Sequence, residues 1–112
     1  QWSAPTSSDL IAEVTFKLIK KINNELLHSI KIFHLSPKGV ISRYKLTKWF
    51  IQNIKDKRNI ICNDVKPINS SEMFSLAKRP MYSKMSSRRL EKLICYKMPS
   101  WEKHANKFIN DL

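Results

Sequence analysis

Residues 36–50 read Ser-Pro-Lys-Gly-Val-Ile-Ser-Arg-Tyr-Lys-Leu-Thr-Lys-Trp-Phe. Ser36-Pro37-Lys38-Gly39 is the strongest turn signal in the chain: proline presets one turn torsion, and glycine takes positive φ without steric cost. It also holds the chain's one glycine. Ser42 then offers an N-cap. Leu46, Trp49, Phe50 and Ile54, with Ile51, follow at helical spacing, which predicts a helix over 43–57. Arg43, Lys45, Lys48, Lys55, Lys57 and Arg58 fill its other faces. On the other side of the turn, Ile30, Ile32 and Leu35 interrupt Lys31, Phe33 and His34 without helical period. Residues 28–36 therefore read as extended, with Val40 and Ile41 available to pair back on them.

Working outward, Ser7 or Ser8 can cap a helix over 8–27 with Asp9 in its first turn. Its apolar stripe is Ile11, Val14, Leu18 and Ile22, widened by Phe16, Ile19 and Leu26. Residues 1–6 form an irregular lead-in whose Trp2 packs back on the domain. Asn69-Ser-Ser-Glu72 resembles a capping box and starts a short helix over 70–78, with Met73, Phe74 and Leu76 turned inward and Pro80 as its stop. Ser86 or Ser87 opens a helix over 87–97 that buries Leu90, Leu93 and Ile94, and Pro99 ends it. Ser100 caps a last helix in which Trp101, Ala105, Phe108, Ile109 and Leu112 share a face. The expected fold is mostly α: a compact bundle of about five helices with at most one short β-hairpin near residues 30–41. Residues 7–112 form one domain.

The 112 residues include one glycine and two cysteines. So little glycine argues against an all-β fold and against a glycine-rich phosphate loop. No apolar run approaches the roughly 20 residues of a membrane span. Cys62 and Cys95 lack a disulfide or metal spacing and read as small buried apolar residues of a reducing compartment. The chain starts at Gln1 without a signal-peptide pattern and reads as a piece of a longer protein.

Charge is the strongest functional signal. Lys and Arg number 21 against 9 Asp and Glu, for a formal charge of +12. The excess is uneven: zero over 1–30, +7 over 31–60, +4 over 61–90 and +1 over 91–112. Like charges so concentrated destabilise a small domain unless an anionic partner offsets them. A nucleic acid, a membrane surface or an acidic protein segment would serve. No nucleophile motif, paired carboxylates or His-Glu-x-x-His is present, and His28, His34 and His104 lie far apart, so neither an enzyme nor a metal or cofactor is expected. Helix 43–57 could track phosphates and Lys48-Trp49-Phe50 could stack bases, making direct DNA or RNA binding the alternative reading. Membrane docking needs a free apolar helix face, and the core claims those faces.

A domain of this size opening on Trp2-Ser3 resembles the C-terminal domain of rhabdovirus phosphoproteins. So does the turn Ser36-Pro37-Lys38-Gly39-Val40, preceded by an aromatic-and-lysine segment and followed by Tyr44 and Leu46. Met85-Ser86, Leu90, Leu93, Tyr96-Lys97 and the terminal helix to Leu112 are similar to the tail of vesiculovirus phosphoproteins. The resemblance implies a small, mostly helical, non-catalytic polymerase cofactor of the host cytoplasm and virion. It would bind acidic loops of the viral nucleoprotein on RNA and tether the polymerase large subunit to its template. By position the resemblance points to Lys31, to Ile41 or its neighbour, and to Arg88 or Arg89. Lys38, Arg43, Lys45 and Lys48 join them on charge alone. The tryptophan that lyssavirus domains carry in the later helix is Leu93 or Ile94 here.

Overall fold

The computed structural model describes residues 1–22, 32–62, 64–72, 77 and 79–112. Four α-helices and one two-stranded antiparallel sheet occur among them: β1 (Trp2–Ser3), α1 (Ser8–Ile19), β2 (Ile41–Ser42), α2 (Arg43–Ile54), α3 (Arg88–Ile94) and α4 (Trp101–Asn110). A single 3₁₀ turn, Ser70–Glu72, stands where the helix over 70–78 was expected, and residues 73–76 and 78 lie outside the described residues. The mostly α class holds, with four helices described rather than five.

The helix starts follow their caps. Ser7 Oγ accepts from Leu10 N–H at 3.1 Å and opens α1, while Ser42 Oγ accepts from Lys45 N–H at 3.2 Å and opens α2. Each bond satisfies one of the N–H groups a helix start leaves without an internal partner. Pro99 does not end α3. That helix stops at Cys95, which turns left-handed with φ 51°, before the proline is reached.

The sheet corrects the expected hairpin. Ile41–Ser42 does not pair back across the Gly39 turn. It pairs with the start of the chain, Trp2 opposite Ser42 and Ser3 opposite Ile41. Residues 1–6, expected as an irregular lead-in, thus supply a strand. Its other edge is also occupied: Trp2 N–H donates to Met81 C=O at 2.7 Å, and Ser83 N–H donates to Trp2 C=O at 3.0 Å.

The apolar core is small. Leu10 and Val14 of α1 meet Leu90 and Ile94 of α3 and the following Met98, with Leu18, Phe33, Leu35, Leu93 and Tyr96 packed around them. The inward stripe of α1 is therefore 10, 14 and 18. Ile11, Phe16, Ile19 and Ile22 are exposed instead. Both cysteines are exposed as well, which overturns their reading as buried apolar residues. A second cluster joins α2 to α4. Trp49 meets Trp101 edge to face at 5.4 Å between centroids, and Phe50 meets Phe108 at 6.2 Å. Edge-to-face geometry puts positive ring edges against negative faces and adds about 0.5–1.5 kcal/mol per pair beyond burial.

Between the two clusters runs the turn at 36–39. Ser36 N–H donates to Ser87 Oγ at 2.7 Å, and Ser87 Oγ–H donates back to Ser36 C=O at 3.0 Å. Lys38 N–H donates to Pro99 C=O at 2.8 Å, and Trp101 N–H donates to Lys38 C=O at 3.1 Å. Ser36, Pro37 and Ser87 are buried. Gly39 has φ 85°, and a Cβ on it would sit 2.9 Å from Trp101 Cδ1. The end of α4 is held from α2: Lys57 Nζ donates to Ile109 C=O at 2.6 Å, and Arg58 Nη2 donates to Leu112 C=O at 3.0 Å.

Three outcomes follow for stability. Ser87→Ala leaves a buried N–H and C=O of Ser36 without partners and should cost about 1–3 kcal/mol. Gly39→Ala should cost at least about 1–2 kcal/mol from left-handed strain alone, before the clash with Trp101. Urea midpoints measured against the parent check both, and an unchanged midpoint contradicts either. The third concerns acid. The Lys107 ammonium, 2.7 Å from Asp9, holds the Asp9 carboxyl below its ordinary 3.8, first by hydrogen bonding and then by charge. That contribution is present above pH 3.8 and is lost as the pH falls through the lowered folded value. In Lys107→Met, NMR should show Asp9 titrating back near 3.8.

Candidate anion-binding groove

The turn that packs the core also forms part of a surface groove. Ser36, Pro37 and Lys38 form one wall of a groove of about 570 Å³. Residues 82–87 and the first turns of α3 form the other wall, and Met98 closes the base. The Ser36–Ser87 hydrogen bonds join the two walls from beneath. The outer wall is anchored in turn, because Met81 and Ser83 bond to Trp2 of β1.

Three cations line this groove: Lys38 from the inner wall, Lys84 from the outer wall and Arg88 from α3. One carboxylate faces them, Glu91. Its Oε1 accepts from Met98 N–H at 2.7 Å, which holds it against the base. Tyr82 and Met85 supply exposed apolar surface on the rim. A cationic groove with an aromatic and a thioether edge suits an anion carrying some apolar body. Arginine recognises such anions by a planar fork of donors, and lysine by a mobile point charge.

The expected site residues are only partly gathered here. Lys38 and Arg88 share the groove. Arg43 instead lines a smaller hollow of about 240 Å³ with Trp2 and Arg79. Lys45 lies beside that hollow, its ammonium 5.6 Å from the centre of the Trp2 ring. Ile41 is half-buried in β2 and Lys48 is exposed on α2, while Arg89 is exposed on α3. Lys31 falls outside the described residues. Sequence reasoning missed Lys84 and Arg79. Both lie in the +4 segment 61–90, but no helical period marks them out.

A second hollow, of about 310 Å³, is apolar. Phe50, Trp101 and Phe108 line it with Pro5 and His104. His104 Nε2 is buried without a hydrogen-bond partner. Among the described residues, no group of three or more His, Cys, Asp and Glu could hold a metal ion. No described helix is long and apolar enough to cross a membrane.

A family model described as RmlD substrate binding domain matches residues 1–112, the whole chain. No curated protein matches it. By that match alone the chain would be assigned to a family of nicotinamide-dependent, sugar-nucleotide enzymes. The fold speaks against the assignment. A dinucleotide-binding α/β domain is built on an open parallel sheet and a glycine-rich turn. This chain has one glycine, and its described sheet is a pair of two-residue antiparallel strands. The match therefore carries no activity onto these residues.

It also corrects the expectation drawn from the sequence, because it names a family other than the rhabdovirus phosphoproteins. The polymerase-cofactor role, the nucleoprotein and polymerase partners, and the alternative of direct nucleic-acid binding find no support in the comparisons and are withdrawn. Neither family name explains this structure. Function has to be argued from the groove.

Proposed function

We propose that this chain, its first strand included, forms a binding domain for an anionic ligand, seated in the groove between the Ser36–Lys38 turn and the start of α3. One observation carries the reading: Lys38 from the turn, and Lys84 and Arg88 from the segment that faces it, line one surface feature. A +12 chain scatters lysines everywhere, but scattered lysines do not share a wall with a buried hydrogen-bonded turn. The ligand chemistry is phosphate or carboxylate, the two groups that lysine and arginine bind by charge-assisted hydrogen bonds. The remaining positive charge around the groove speeds the encounter and makes it sensitive to salt.

Pyrophosphate and a tri-glutamate peptide are the probes, titrated into labelled protein at about 0.15 M salt, where the screening length is about 8 Å. Amide shifts should concentrate at Lys38, Lys84, Ser87 and Arg88 for at least one probe. Lys84→Glu with Arg88→Glu should weaken that binding by about tenfold or more, equivalent to about 1.4 kcal/mol. Shifts spread evenly over all lysines, or affinity unchanged in the double variant, would remove the groove as the site. A preference for one probe identifies the anion. Glu91→Gln, which keeps an oxygen to accept from Met98 N–H but removes the one carboxylate in the groove, should tighten binding.

A further inference from the structure

We infer that this chain has no seat for a nicotinamide dinucleotide, although its sequence matches a family of enzymes that use one. The inference does not rest on the groove reading. It rests on what a dinucleotide site needs from a backbone.

The fingerprint of such a site uses three glycines at a strand–turn–helix junction. One makes the tight turn, one lets the backbone approach the pyrophosphate, and one lets helix and strand pack closely. The chain has Gly39 and no other glycine. Gly39 is already engaged, with the missing Cβ leaving room for the Trp101 ring, which would lie 2.9 Å from that carbon. The space where its Cβ would stand is taken by an indole of the same chain, so its lack of a side chain serves that packing.

Among the described residues β1 leads into α1 through residues 4–7, which hold no glycine and end in the capping Ser7, and β2 leads directly into α2. At the second junction the helix start is capped from within, since Ser42 Oγ takes the Lys45 N–H. The residues that follow are Arg43, Tyr44 and Lys45, with long side chains where close backbone approach needs glycine.

The sheet gives the third argument. A dinucleotide lies across the carboxyl ends of parallel strands, at a switch in strand order. Parallel neighbours need crossover connections of a dozen or more residues, usually helical. The described sheet is antiparallel and two residues long. Among the described residues, parallel pairing is confined to two isolated bridges, Trp2 with Tyr82 and Lys38 with Ser100. Neither creates a row of strand ends.

The test compares NADPH with inorganic pyrophosphate on the intact 112-residue chain, by calorimetry and by the emission of the reduced nicotinamide ring. NADPH should bind no tighter than pyrophosphate, within about threefold, and its emission should not change. Lys84→Glu with Arg88→Glu should weaken both in parallel. NADPH binding about tenfold tighter than pyrophosphate, with altered nicotinamide emission, would overturn the inference. So would NADPH affinity that survives the double variant while pyrophosphate affinity is lost. Failure of both compounds to bind supports the inference and counts instead against phosphate as the anion of the groove.

Discussion

The turn at Ser36–Gly39, whose first two residues are buried, is the constraint on which the rest of this structure depends. Loops usually lie on the surface, because a buried one strands polar backbone groups away from water. Here four backbone groups are satisfied by distant parts of the chain: Ser87 serves the N–H and C=O of Ser36, Pro99 C=O serves Lys38 N–H, and Trp101 N–H serves Lys38 C=O. The turn is thus fastened to the start of α3 and to the start of α4. On one side of it Leu10, Val14, Leu90 and Ile94 form the core. On the other, Trp101 lies against Gly39 and leads into the aromatic contacts with α2. The domain's stability is a small difference between large opposing terms, so the loss of one hydrogen-bonded turn would weigh heavily.

The same fastening sets the chemistry at the surface. Lys38 cannot drift from Arg88, because Ser36 and Ser87 tie their segments together two residues and one residue away. A preorganised pair of cations loses less freedom on meeting an anion than two mobile side chains do. The function follows from this local arrangement and not from a family label. A matching family whose chemistry requires a glycine-rich turn and a parallel sheet has no purchase on a helical chain that lacks both.

Local signals in the sequence were legible, and long-range pairing was not. The caps Ser7 and Ser42 could be read because each acts within three residues of itself. The inward positions Leu90, Ile94, Trp101 and Ile109 could be read from helical spacing. In α1 the inward positions Val14 and Leu18 could be read, while Leu10 and not Ile11 begins the stripe, since the two are adjacent apolar residues and periodicity alone does not choose between them. The partner of β2 could not be read at all, because Trp2–Ser3 lies nearly forty residues away and has no strand-like alternation. Ser87 was read as a helix cap, yet its hydroxyl reaches Ser36 across 51 positions. In the candidate site, Lys38 and Arg88 were among the chosen residues for their charge. What joins them to Lys84 is tertiary, and one basic residue among 21 carries no mark of it.

The indole at Trp101 has an optical consequence. Three tryptophans sit in unlike surroundings: Trp2 is 42% exposed, Trp49 is intermediate, and Trp101 is 6% exposed with Gly39 against its ring. Water relaxes around an exposed excited indole and lowers the energy of its light, while a dry one emits further to the blue. Trp101 is therefore a built-in lamp for the seating of the turn. Any event that lifts Ser36–Gly39 from its partners would wet that ring and redden the emission before the helices themselves come apart.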